Sequence, residues 1–195
     1  GNYNVGNWDI TPSAATGGTF TASNYSITYN DAPIGLTVTP KALTVSGVTV
    51  DNRTYNGTDT AALILGSAAF VGVIGGDDVD IDTSSATGTF DSKNVGNGRT
   101  VTVAGIDKTG DDAGNYTITQ PTTTANITPA GLTITANNQS LTYGVGLGGS
   151  AFTPVGLQAG ETIGSVTLST DATLSTSGNY NVGNWDITPS AATGG

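Results

Sequence analysis

The sequence predicts an all-β chain of small modules in tandem, with little helix. Three observations predict it. Apolar residues alternate with Thr and Ser along short stretches, Gly/Asn/Asp turn pairs punctuate them, and the chain repeats itself. Residues 1–18, GNYNVGNWDITPSAATGG, return letter for letter at 178–195. So long a match implies recent duplication, and the chain reads as one 177-residue period, with overlap, of a longer array.

The period divides again. Val38-Thr39-Pro40-Lys41-Ala42-Leu43-Thr44-Val45 and Ile127-Thr128-Pro129-Ala130-Gly131-Leu132-Thr133-Ile134 share the pattern aliphatic-Thr-Pro-x-x-Leu-Thr-aliphatic, with their leucines 89 residues apart. Tyr55-Asn56-Gly57 and Tyr143-Gly144 follow those leucines at similar spacing, as do Asn94-Val95-Gly96-Asn97 and Asn181-Val182-Gly183-Asn184. Two related modules therefore alternate. One is complete at 40–128. The other is split, its N-terminal part at 129–195 and its C-terminal part at 1–39. Taken alone, 1–39 buries too little apolar surface to offset its ordering entropy, so it is expected to need a partner.

The strands follow in order. Leu43, Val45, Val48 and Val50 nearly alternate; Val79/Ile81, Val101/Val103, Tyr116/Ile118, Leu132/Ile134 and Val166/Leu168 each step by two. The intervening Thr and Ser suit the outward face of a pleated sheet. Turns are expected at Asn56-Gly57, Gly75-Gly76, Asn97-Gly98, Gly110-Asp111, Gly148-Gly149 and Gly178-Asn179. Asp59–Leu65 is the one stretch that reads as a short helix. Pro40 and Pro129 lack a ladder N–H and restrain the residue before them, so each marks a seam between modules. Seams this short predict an end-to-end, rod-like array.

Composition narrows the function. Charged residues make up only 10% of the chain, and there is no Cys, His or Met. The usual zinc, copper and haem ligands and nucleophile–base pairs are thereby missing, and no disulfide can brace the fold. A net charge of −10 argues against nucleic acid and anionic lipid as partners. No apolar run approaches the roughly 20 residues of a membrane helix.

The 40–128 module resembles the YDG domain. The resemblance rests on Lys41–Val45, Arg53–Thr58, Gly76-Asp77-Asp78-Val79, Gly88-Thr89-Phe90, Lys93–Gly96 and Asp112–Tyr116, with the signature Tyr-Asp-Gly present as Tyr55-Asn56-Gly57. The split module, through Leu141-Thr142-Tyr143-Gly144, Tyr180-Asn181-Val182 and Asn24-Tyr25-Ser26-Ile27, is similar to the mostly-β-grasp (MBG) domain. The resemblance implies a β-grasp-like fold and an extracellular, bacterial cell-surface location in large secreted adhesins of filamentous-haemagglutinin type. It implies no catalytic residue and no cofactor.

Candidate chemistry is sparse. Asp77, Asp78, Asp80 and Asp82 form the densest acidic run and are candidate Ca²⁺ ligands, although alternating aspartates also describe a solvated sheet face. Asp111-Asp112 reads as a turn, and with Glu161 the sole glutamate no glycosidase-type pair is apparent. Tyr25, Tyr55, Tyr116, Tyr143 and Tyr180 read as rings packed over turns, against a sugar-stacking role for them or for Trp8 and Trp185. Lys41, Lys93 and Lys108 raise an isopeptide crosslink, with Lys93 beside Asn94 the best placed. The expectation is a non-enzymatic stalk or matrix segment of an adhesin or extracellular filament, whose partners are neighbouring repeats or head-to-tail copies. The alternative is an adhesion module that recognises glycan or protein through loops near 75–78, 107–113 and 144–149.

Overall fold

The computed structural model describes residues 3–158 and 160–194. It is all-β: short strands with two single-turn 3₁₀ segments, Ala22–Asn24 and Ala113–Asn115. No helix among the described residues is long and apolar enough to cross a membrane. The chain divides into two compact units. The first takes residues 1–51, 60–91 and 100–125; the second takes 52–59, 92–99 and 126–195.

In the first unit, Lys41–Ser46 pairs in parallel with Tyr116–Thr119 (Leu43 opposite Ile118) and antiparallel with Ala69–Val71 (Val45 opposite Phe70). Thr87–Phe90 pairs antiparallel with Val101–Ala104 and with Thr60–Ala61. Alternation aims one side of each strand inward, so Leu43, Phe90, Val101, Val103 and Tyr116 are buried. Val48, Val103 and Ile106 form a cluster against which Val45, Leu63, Leu65, Phe70 and Ile81 pack.

Two local expectations are corrected. Asp59–Leu65 is not a helix: Thr60–Ala61 and Leu63–Ile64 are strands, with Ala61 buried and Leu63 and Leu65 half-buried on one side. Asn97-Gly98 is not a turn but lies within the strand Gly96–Ala104. Gly98 takes a left-handed φ of 61° there, and its N–H donates to the Asn126 carboxamide oxygen at 2.7 Å. A single left-handed residue kinks a strand without ending it.

In the second unit, Arg53–Thr54 pairs in parallel with Ile127–Thr128, and Thr133–Ala136 pairs antiparallel with Phe152–Val155. Ser165–Thr170 pairs antiparallel with Ile187–Thr193. Both Thr-Pro pairs fall where strands break, after Val38 and at the end of Thr122–Thr128.

The duplicated segment forms two different structures. In the first copy, Gly6–Trp8 is a strand paired with Leu36–Val38, and 10–16 is not a strand. In the second copy the situation is reversed: Ile187–Thr193 is a strand, and 183–185 is not. Identical sequence thus takes strand form only where a partner strand is supplied. What does not change is local. Each indole N–H donates over 2.9 Å to the carbonyl four residues before it, Trp8 to Asn4 and Trp185 to Asn181. Ala14 and Ala191, the same repeat position, are both left-handed, at φ 50° and 47°. In the second copy this position makes a bulge, where Ser190 and Thr193 face Thr167 and Ser165.

Candidate functional site

The acidic run does not gather into a cation site. Among the described residues no three acidic side chains converge to hold a metal. The strand begins only at Asp80, where Asp80 and Asp82 face Thr109 and Asp107 across an antiparallel pair while Ile81 packs into the core cluster. Asp78 lies before it, held against the next turn. Its N–H donates to the Asp112 carboxylate at 2.9 Å, and its own carbonyl accepts the Asp112 N–H at 3.1 Å. The Asp82 carboxylate accepts the Ser84 N–H at 2.9 Å; that bond and the Ser84 hydroxyl hold its pKa below the usual value.

Asp77 is taken up by a tyrosine. The buried Tyr116 donates its hydroxyl proton to the Asp77 carboxylate and accepts the Ile74 N–H at 3.0 Å. Burial first, and the bond to Asp77 second, raise the Tyr116 pKa.

The Tyr55-Asn56-Gly57 motif is likewise braced from within its unit. Arg53 donates to the Asn56 side-chain oxygen and the Thr58 carbonyl. The same Asn56 oxygen accepts the Thr58 N–H at 3.1 Å and hydroxyl at 3.0 Å. Tyr55 donates its N–H to the Thr128 carbonyl at 2.8 Å and its hydroxyl to Glu161, whose carboxylate raises the phenol pKa. These groups build a rigid loop. Of the lysines, Lys41 and Lys93 are exposed and Lys108 is half-buried, so none meets the burial an isopeptide bond requires.

One concavity stands out in the second unit, a recess of about 470 Å³ lined by 138–145, Leu147, Thr170, Ala172, 180–185 and Ile187. Its mouth is tied by side chains remote in sequence. Gln139 donates to the Gly148 carbonyl at 3.2 Å and accepts the Gly148 N–H at 2.8 Å, closing the 139–148 loop. The Tyr143 hydroxyl bonds to the Ser175 and Ser177 hydroxyls at 3.0 and 3.1 Å, which holds its pKa down. Leu141, Val145, Tyr143 and Trp185 remain partly exposed around it, and Val182 is 91% exposed. None of the lining residues is charged. The recess therefore offers mainly amide and hydroxyl groups beside a smaller apolar and aromatic surface, suited to an uncharged polar ligand or peptide segment. The residues 144–149, Tyr180 and Trp185 were legible as candidates; the Gln139 and Ser175/Ser177 ties carry no local signal.

A family model described as the YDG domain matches residues 39–125, and one described as the MBG domain (YGX type) matches residues 132–195. No curated protein matches the chain, and no solved structure does.

Proposed function

The chain carries a YDG domain followed by an MBG domain, and from this premise we propose that it is a structural repeat segment of a bacterial cell-surface adhesin or extracellular filament. Domains of these two families occur in adhesin-like or repeat proteins, as non-enzymatic binding or structural modules. The observation that carries the reading is the unbroken 18-residue duplication, which places the same segment at both ends of a two-domain period. Support also comes from the motif tyrosines, whose hydroxyls serve Asp77, Glu161 and the Ser175/Ser177 pair. In this role the segment extends an active tip from the cell or holds cells in a matrix, with no cofactor and no membrane insertion. Its neighbours are further repeats of its own kind.

The test joins two and four periods through their shared 18 residues and images them by electron microscopy. Particle length growing in proportion to the number of periods is expected. Particles that grow as compact spheres overturn the stalk reading.

A second reading is favoured by the uncharged recess with Tyr143, Tyr180 and Trp185 along it: adhesion through a glycan or protein ligand. Saturable binding of the chain on a glycan array, lost in Trp185→Ala, selects it.

A further inference from the structure

The two copies of the duplicated segment each display half of a pairing scheme. In the first, Gly6–Trp8 carries Leu36–Val38 in the register Gly6 to Val38, Asn7 to Thr37 and Trp8 to Leu36. In the second, the same residues at 183–185 are not in a strand, and they border the recess. We propose that this edge and its recess form the docking site for the segment 19–38 of a second copy of this chain. Leu36–Val38 of that copy adds as a strand with Gly183 opposite Val38 and Trp185 opposite Leu36. The proposal rests on the repeat reading above and deepens it by naming the joint.

The occupant is identified by contacts already present in the first copy. There, besides the strand pairing, the Ala32 N–H donates to the Ile10 carbonyl at 3.0 Å. The Ala15 N–H donates to the Tyr29 hydroxyl at 2.8 Å, and the Thr37 hydroxyl to the Asn7 side chain at 2.9 Å. Of these groups the repeat carries Asn7 over to Asn184, outside any strand, whereas the counterparts Ile187 and Ala192 already lie in the strand Ile187–Thr193. The chemistry also matches. Segment 19–38 has one charged residue, Asp31, and it leaves Phe20, Tyr25, Ile27, Tyr29 and Ile34 between 38% and 84% exposed. The recess supplies an uncharged lining in which polar groups outweigh apolar ones, with Leu141, Tyr143, Val145 and Trp185 left partly exposed to meet such side chains. Gly35 fixes the approach. Its φ is 68°, and a Cβ there would overlap the Trp8 carbonyl oxygen, so only glycine lets the strand close on a tryptophan backbone at this point. Between chains, docking is a strand exchange in which 183–185 replaces the identical 6–8. Because the exchanged residues are the same, burial in the recess decides the balance.

The test adds a synthetic peptide of residues 19–39 to the full chain and follows amide hydrogen exchange by NMR. Saturable binding is expected, with exchange at 183–185 slowed about tenfold or more, and a Gly35→Ala peptide is expected not to bind. Unchanged exchange at 183–185 under saturating peptide overturns the proposal, as does equal binding by the Gly35→Ala peptide or protection confined to 6–8. Any of those results leaves the length scaling of joined periods intact, so failure of the joint is distinguishable from failure of the stalk reading.

Discussion

Tyr116 and Asp77 are joined through the phenol hydroxyl, which donates to the carboxylate while receiving the Ile74 N–H, and so pins the Gly75-Gly76 turn to the strand Tyr116–Thr119. Tyr116 is 3% exposed, so this contact is made from inside the packed unit. Its consequences extend to pH. A phenol whose folded pKa is raised retains its proton in the folded state after the unfolded chain has lost its own.

Stability contributed by Tyr116 and Tyr55 is therefore complete below the unfolded tyrosine pKa of about 10 and is lost as pH rises through the folded values. Tyr143 has the opposite sign: its contribution is present above that pKa and lost as pH falls through its lowered value. Thermal melts between pH 8 and 12 should show a net decline on the alkaline side. Tyr116→Phe should lower Tm by a few degrees at pH 8 and flatten that decline. An unchanged alkaline slope in the variant would remove Tyr116 from the account.

The two module leucines should differ in energetic weight despite their shared motif. Leu43 is fully buried, whereas Leu132 is 46% exposed. Leu43→Ala is expected to cost about 2–5 kcal/mol in denaturant unfolding. Leu132→Ala, which removes far less buried surface, should cost about 1 kcal/mol or less. Equal losses would contradict the burial described.

Asn56 acts through one oxygen shared by Arg53 and Thr58. Asn56→Asp retains that acceptor and adds charge beside the guanidinium, so it should leave stability unchanged or raise it slightly. Asn56→Ala should lower it by about 1–2 kcal/mol. Urea unfolding of the three proteins side by side gives the comparison.

The left-handed Ala191 is a steric cost that a glycine relieves. Strain of about 1–2 kcal/mol per residue is partly offset by the extra freedom glycine gives the unfolded chain. Ala191→Gly should stabilise the second unit by roughly 0.5–1 kcal/mol on those figures, read from the unfolding midpoint. A loss of stability would show that the bulge does not need that conformation.

Hydrogen exchange should distinguish the two copies of one sequence. Gly6–Trp8 and Ile187–Thr193 should exchange slowly, and their counterparts 183–185 and 10–16 rapidly. Matching rates in matching positions would mean that sequence alone decides the pairing.

Much of the strand plan was legible because alternation in Leu43/Val45, Val101/Val103 and Tyr116/Ile118 is a purely local signal. The Asp59–Leu65 stretch misled because an acidic residue ahead of Ala-Ala-Leu resembles a helix start. The buried and half-buried series Ala61, Leu63, Leu65 has period two, and cross-strand partners Gly88 and Val50 enforce it. Asn97-Gly98 misled for a related reason, since the Asn126 carboxamide that holds Gly98 within its strand is 28 residues away. The recess was the least legible feature. It exists because Tyr143 reaches Ser175 and Ser177 across more than 30 residues, a contact between polar side chains that no periodicity announces.

The twin kinks at Ala14 and Ala191 have a consequence for assembly. Since both alanines take nearly the same left-handed φ, whether or not a neighbouring strand lies alongside, that local bend belongs to the eighteen residues and travels with them. A further copy of the segment would bring the same bend with it, whichever strand it meets.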